Sequence, residues 1–187
     1  MHQHTDDTLA KLLQEGNREA LNVLMERYQK KLARFIYHYT GRENDVDDLV
    51  QDTFVKCYLN IKSFRFESQF STWLFQIAVN LCKDAARKKG MRTVSIDSEM
   101  VTAGMSLASD DPSPENVIAS KHLLEKMDEE IHLLPHKLKA ALIAFAIEEN
   151  SQEDCAKILG VSAKTVETRV YRARKLLAER VFKPIKK

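Results

Sequence analysis

The sequence predicts an all-α protein built as two small helical domains joined by a flexible linker, and three observations carry that reading. Glycine (5) and proline (4) are scarce in the 187 residues. Apolar residues recur at three- and four-residue steps, the spacing that lines one face of a helix. Between Thr93 and Ser113 that stripe gives way to a run rich in Ser, Asp, Thr and Met, and a connection of such length inside a compact domain is uncommon. The expected domains are therefore 1–92 and 114–187, with an acidic linker over 93–113.

In the first domain, a short helix starts at the capping residues Asp6 or Asp7 and stops near Gly16-Asn17. A longer helix follows on Leu21, Leu24, Tyr28, Leu32, Phe35, Ile36 and Tyr39, and Gly41 can end it in the left-handed conformation that costs other residues more. Asn44 is placed to cap a third helix with Val46, Leu49, Val50, Phe54, Cys57 and Ile61 inward. A loop from Ser63 to Gln69 leads to a fourth, starting near Ser71, with Leu74, Ile77, Ala78, Leu81 and Ala85 inward and a Lys/Arg cluster at its end. Four such helices can share one core.

Helical spacing resumes at Pro114-Glu115 through Val117, Ile118, Leu123, Leu124, Met127 and Ile131, and Pro135 can begin another helix carrying Leu138, Leu142, Phe145 and Ala146. The last segment is the most legible. Ser151-Gln-Glu-Asp154 resembles a capping box opening a short helix with Cys155, Ala156, Ile158 and Leu159 inward. Gly160-Val161-Ser162 makes a tight turn, and Ser162 caps a helix from about Ala163 to Val181 that buries Val166, Val170, Ala173, Leu176 and Leu177.

Charge is segregated, although the formal net charge is only +2. Lys83, Arg87, Lys88, Lys89 and Arg92 cluster at the end of the fourth helix, and basic residues dominate from Ser162 onward. Acids concentrate in Glu43–Asp52 and in Asp97–Glu115. Two basic surfaces imply polyanion binding, and the acidic ones imply other partners. No apolar run approaches the roughly 20 residues a membrane span needs, and no basic-then-apolar leader opens the chain, so a cytoplasmic protein without membrane insertion is expected. Cys57, Cys82 and Cys155 lack CxxC spacing and read as reduced, buried thiols. His2 and His4 could ligate a metal, but no metal or cofactor is expected from two histidines on a chain terminus. Neither a GxxxxGK[ST] loop nor an HExxH motif is present, and no catalytic constellation is expected.

A short helix, a glycine turn and a longer basic helix form the helix-turn-helix plan, whose second helix enters the DNA major groove. The candidate contacts are Lys164, Thr165, Glu167, Thr168, Arg169, Tyr171, Arg172 and Arg174. Arg pairs with guanine, Glu accepts from cytosine and Thr meets the thymine methyl, whereas Lys175 and Arg180 suit phosphates. Upstream, Phe64, Phe66, Phe70, Trp73 and Phe75 crowd a polar loop followed by a basic helix. Phe64, Phe70 and Phe75 are expected in the core. The loop positions between them suit unstacked bases, because any base stacks on a ring while Lys and Arg follow the phosphates. Asp48, Gln51 and Asp52 stand three and four residues apart, share one helix face and read as a protein-docking patch. A stand-alone helix-turn-helix regulator accounts for 114–187 equally well, but leaves the acidic patch and aromatic loop unexplained. An enzyme acting on flipped bases lacks the HxE and PCxxC residues its chemistry needs.

In their order and spacing, Asp47-Asp-Leu-Val-Gln-Asp-Thr-Phe54, Phe70-Ser-Thr-Trp-Leu-Phe-Gln-Ile-Ala-Val-Asn80 and Thr165-Val-Glu-Thr-Arg-Val-Tyr-Arg-Ala-Arg174 resemble the extracytoplasmic-function (ECF) sigma factors, the smallest members of the sigma-70 family. The resemblance implies a non-catalytic subunit that gives RNA polymerase its promoter specificity. Asp48, Gln51 and Asp52 would dock on the clamp helices of the largest polymerase subunit. Arg65, Phe66, Glu67, Ser68 and Gln69, with Trp73, Asn80, Lys83, Arg87 and Lys88, would read and hold a flipped base of the −10 element in single-stranded DNA. The helix-turn-helix would read the double-stranded −35 element. The linker would thread the polymerase cleft, and an anti-sigma factor would hold the protein inactive.

Overall fold

A computed structural model describes residues 4–88, 123–124, 126–147 and 151–181. The linker expected over 93–113 and the helix start at 114–118 lie outside them. Every regular element among the described residues is helical: α1 (Asp6–Gln14), α2 (Arg18–Thr40), α3 (Val46–Asn60), α4 (Phe70–Lys88), a helical stretch over 126–132, α5 (His136–Ile147), α6 (Gln152–Leu159) and α7 (Ala163–Val181).

Local chemistry sets most of the boundaries. Asn17 accepts from the Glu19 amide (3.0 Å) at the start of α2, and Gly41 closes that helix at φ +69°. The stripe Val23, Leu24, Tyr28, Leu32, Phe35, Ile36 and Tyr39 is buried between them. Two caps differ from expectation. Thr5, not Asp6 or Asp7, accepts from the Thr8 amide at the start of α1 (3.3 Å); Asp6 instead pairs with Arg27 (2.6 Å) and accepts from the Tyr28 hydroxyl. Asn44 does not cap α3, because a single 3-10 turn over Glu43–Asp45 delivers the chain into that helix. α4 starts at Phe70, in keeping with the expected start near Ser71.

The first four helices pack as one unit, with α2 touching α1, α3 and α4, and α3 touching α4. Phe35, Phe70 and Phe75 are almost fully buried, and Phe35 meets the edge of Phe75 with centroids 5.2 Å apart. Each ring or aliphatic side chain so buried contributes about 1.5–3 kcal/mol before the cost of ordering it. Cys57, Cys82 and Cys155 are free and buried, as expected, and burial pushes their thiols up to about 12, 12 and 11. Thiols held so far from ionisation are poor nucleophiles.

α5, α6 and α7 form the second unit, and the two units pack together along a seam of α2 against α5 and α4 against α6. A continuous cluster of buried residues therefore runs from Leu9 to Leu177. Here the sequence misled. The apolar positions expected for α5 are Leu138, Leu142, Phe145 and Ala146; of these only Leu142 is buried, together with Ala140, Ala141, Ile143 and Ala144, because the helix is covered by α7 on one side and α2 on another. Ala146 is exposed, and Leu138 and Phe145 are only half-buried. Leu123 and Leu124, part of the helical pattern read from Pro114 onward, are exposed.

Polar groups border the seam. Thr72 donates to Asp154 (3.4 Å), Tyr39 meets the edge of His136 (4.7 Å between centroids), and the buried Lys139 ammonium donates to the His132 carbonyl (3.4 Å). Burial holds Lys139 below its usual pKa. Burial also lowers His136, reinforced by the charges of Lys139 and Lys83. Among the described residues, the buried side-chain polar atoms without a hydrogen-bond partner are His38 Nδ1, Tyr39 Oη and His132 Nε2, and all three lie along this seam.

Candidate nucleic-acid and protein-docking surfaces

The acidic patch forms as the spacing requires. Asp48, Gln51 and Asp52 are exposed on one side of α3, while Leu49 and Phe54 point into the core. The patch is also longer than expected. Val55 (55% exposed) and Leu59 (71%) continue it at seven and eleven residues from Asp48. Two large aliphatics left in water beside three acidic or amide groups make a mixed surface suited to a protein partner. Their signal in the sequence is the excess of apolar positions in Phe54–Leu59 over what one buried stripe can use.

The aromatic loop is fixed from beneath. The Gln14 amide donates to the carbonyls of Ile61 and Phe64 (2.8 Å each), tying the loop to α1. Phe64, Phe70 and Phe75 are core residues, as expected. Phe66 adopts φ +59°, packs on Phe64 (4.6 Å) and lies under the Lys11 ammonium (5.4 Å). Trp73 leans on Phe64 (5.1 Å) and Phe70 (6.0 Å) and remains half-exposed. Arg65, Glu67 and Gln69 project into solvent, with Ser68 half-exposed between them. Along α4, Trp73, Asn80 and Arg87 repeat at seven-residue steps, which places them on one face with Lys83 beside it. Asn80, Lys83, Arg87 and Lys88 are all exposed, and Arg87 pairs with Asp84 (2.8 Å). The result is a ring-floored loop opening onto a basic helix face.

The helix-turn-helix is built by its caps. Ser151 accepts from the Asp154 amide (3.1 Å) at the start of α6, Gly160 turns the chain at φ +69°, and Ser162 accepts from the Thr165 amide (3.2 Å) to begin α7. Val166, Val170, Ala173 and Leu177 bury the inner face of α7, with Leu176 half-buried. Of the predicted contacts, Lys164, Glu167, Thr168, Tyr171, Arg172 and Arg174 line one concavity of about 510 Å³. Thr165 and Arg169 lie outside it. Lys164 pairs with Glu167 (2.9 Å), and Arg174 sits over the Phe145 ring (5.4 Å). Phe145 and Gln152 complete the concavity and were not anticipated. Gln152 has a legible signal, an amide at the first position of the helix preceding the recognition helix.

Two family profiles match this architecture in order: Sigma-70 region 2 over residues 24–92 and Sigma-70 region 4 over residues 124–177. The chain is 38% identical to the ECF RNA polymerase sigma-E factor of Haemophilus influenzae, covering 96% of each protein. The chain belongs to the ECF sigma factors. It is also 35% identical to the sigma-E factor of Escherichia coli K12, covering 96% of this chain and 95% of that one. Among solved structures, CnrH in complex with the cytosolic domain of CnrY superposes with a TM-score of 0.68 at 29% identity, over 92% of this chain and 94% of CnrH. The sigma factor RpoE of Bartonella quintana, solved with the anti-sigma factor NepR, gives a TM-score of 0.64 at 25% identity, over 87% and 96%. As an ECF sigma factor, the protein works with RNA polymerase in promoter-specific transcription initiation, and its family consists of non-enzymatic initiation factors. No helix among the described residues is long and apolar enough to cross a membrane.

Proposed function

We propose a division of labour in which each exposed face does one part of promoter recognition. The unit within 1–92 docks on the clamp helices of the largest polymerase subunit through Asp48, Gln51 and Asp52, extended by Val55 and Leu59. The loop at 65–69 and the α4 face at Trp73, Asn80, Lys83, Arg87 and Lys88 hold unstacked −10 bases. The unit within 114–187 reads the −35 duplex with α7. One observation carries this reading: three chemically distinct faces, one acidic and apolar and two basic, all remain uncovered while the halves pack together.

The mechanism is binding-driven and needs no catalysis by the sigma chain. Unstacking a base costs a few kcal/mol, and stacking on a ring returns about 1–3 kcal/mol per base. Polymerase and −35 contacts supply the remainder by tethering. The halves must also part. Elements centred roughly 25 base pairs apart stand roughly 85 Å apart along the duplex, at about 3.4 Å each. A compact chain of this length has a radius of gyration of only about 16 Å. An anti-sigma factor, of the kind bound by CnrH and RpoE, fits as the cytoplasmic partner that keeps these faces covered.

Run-off transcription with core polymerase tests the reading. Start sites should appear only when both proteins are present. Tight, sequence-specific duplex binding by the isolated chain with no effect on core enzyme would overturn it.

A further inference from the structure

We propose that the seam between the two halves carries a zinc-type divalent metal site formed by His38, Asp128 and His132, and that the ion clamps the compact form. His38 comes from α2 in the first half; Asp128 and His132 come from the helical stretch over 126–132 in the second. One nitrogen from each imidazole and one carboxylate oxygen lie within 4.8 Å of one another, the one such group among the described residues.

The geometry favours an ion over a plain ion pair. His38 Nδ1 stands 3.1 Å from Asp128 Oδ1, and His132 Nδ1 stands 3.7 Å from Asp128 Oδ2. Ligand atoms around a tetrahedral zinc, with bonds of about 2.0–2.2 Å, stand about 3.3–3.5 Å apart; each imidazole reaches one of the two Asp128 oxygens at a separation near that range, and one donor atom from each residue lies within 4.8 Å of the others. His38 Nδ1 is within hydrogen-bonding distance of the Asp128 carboxylate but is not aligned on it as a well-formed hydrogen bond requires, and the carboxylate still favours the charged imidazole. The imidazoles are near-parallel (26°) with centroids 5.9 Å apart, which leaves space between them. Tyr37 braces both rings edge-on at 5.2 Å. Gly41 contributes by having no side chain, since a Cβ there would stand 3.3 Å from the His132 ring. Two imidazoles and a carboxylate suit zinc and its neighbours rather than calcium or magnesium. With side chains 22–38% exposed, the site can take water as a fourth ligand. Arg34 places an opposing positive charge near His38, which Asp128 offsets.

Metal binding at this site is independent of the promoter-recognition roles proposed above; its consequence, a clamp on the inactive compact form, rests on them. The test uses the full chain carrying His2→Ala and His4→Ala, titrated with Zn²⁺ against a chromophoric chelator and separately with Co²⁺ read by visible absorption. One equivalent should bind, and His38→Ala or His132→Ala should each weaken it at least tenfold. Zinc should also lower amide exchange along α2 and residues 126–132, an effect lost in both variants. His38→Gln serves as a second variant, and circular dichroism verifies that each one is folded. Equal zinc affinity in parent and folded variants overturns the site. Zinc binding without slower exchange at the seam overturns the clamp. Neither result touches the run-off assay, which fails only if the polymerase reading is wrong.

Discussion

Thr72 on α4 donates its hydroxyl to a carboxylate oxygen of Asp154 on α6, 3.4 Å away across the seam. Asp154 also accepts from the Ser151 hydroxyl (2.7 Å), so one carboxylate serves both the cap of the helix-turn-helix and the contact between halves. Replacing Thr72 with Val keeps the shape and removes the donor. A hydrogen bond to a carboxylate can contribute more than the typical ~1 kcal/mol net, but at 3.4 Å this one is long, so about 1 kcal/mol is assigned to it, and T72V should shift the balance toward separated halves about fivefold. Small-angle scattering should report a larger mean radius of gyration with unchanged helix content. An unchanged radius would mean that the bond does not hold the seam.

Charge reversal at Asp48 and Asp52 should weaken binding to core polymerase at least tenfold. Both side chains are exposed, so the melting temperature should barely move. Leu59→Ser should weaken polymerase binding in the same direction by removing apolar surface from the patch, and at 71% exposure it should cost little folding stability. Fluorescence anisotropy with labelled sigma measures each. Full transcription from the double charge reversal would place the docking face elsewhere.

Lys83→Ala and Arg87→Ala should each reduce the salt dependence of single-stranded −10 DNA binding. Each phosphate contact on a single strand contributes about 0.7 to the slope of log affinity against log salt. Arg87 starts from an exposed pair with Asp84, so its share should be the smaller. Slopes unchanged in both variants would remove the α4 face from the DNA path.

Arg172→Ala should cost about 1–3 kcal/mol on the best −35 duplex and relax selectivity at one base pair. Lys175→Ala should weaken all duplexes by a similar factor, since a phosphate contact carries no sequence information. Competition binding on duplexes altered one position at a time separates the two patterns.

Acidification should loosen the seam. His136 faces Tyr39 from α2, Lys139 on its own helix and Lys83 from α4; burial and the two lysines lower its pKa. His38, facing Asp128, His132 and Arg34, is also lowered, with burial the largest cause and Asp128 opposing it. Above the ordinary histidine value of about 6.5 both folded and unfolded forms are neutral. As the pH falls through that value, the unfolded chain takes up protons that the folded one refuses, so stability declines until the lowered folded value is passed. The melting temperature should drop between neutral and mildly acidic pH, and His136→Phe should reduce the drop. Equal declines in both proteins would assign the acid sensitivity to other groups.

Helix positions, core rings and the recognition helix were legible because each has a local cause: Gly41 and Gly160 as left-handed stops, Ser151 and Ser162 as caps, Phe35 and Phe75 in period with their neighbours. The acidic patch was legible because Asp48, Gln51 and Asp52 sit within one turn. The seam was not. His38 and His132 are far apart in sequence, and nothing local to either announces the other. The burial of α5 also depends on what covers it, although a helix reading Leu-Lys-Ala-Ala-Leu-Ile-Ala-Phe is more apolar than one covered face requires.

α5 belongs to the second half, yet the first half covers one of its sides. When the halves part, the side of α5 that met α2 becomes wet surface, and the alanines at 140, 141 and 144 keep the exposed area small. In the proposed mechanism the separated form therefore carries a modest adhesive stripe that the compact form hides. Whichever protein shields that stripe, polymerase or inhibitor, gains a free-energy advantage in the contest for this sigma factor that neither DNA-reading face supplies.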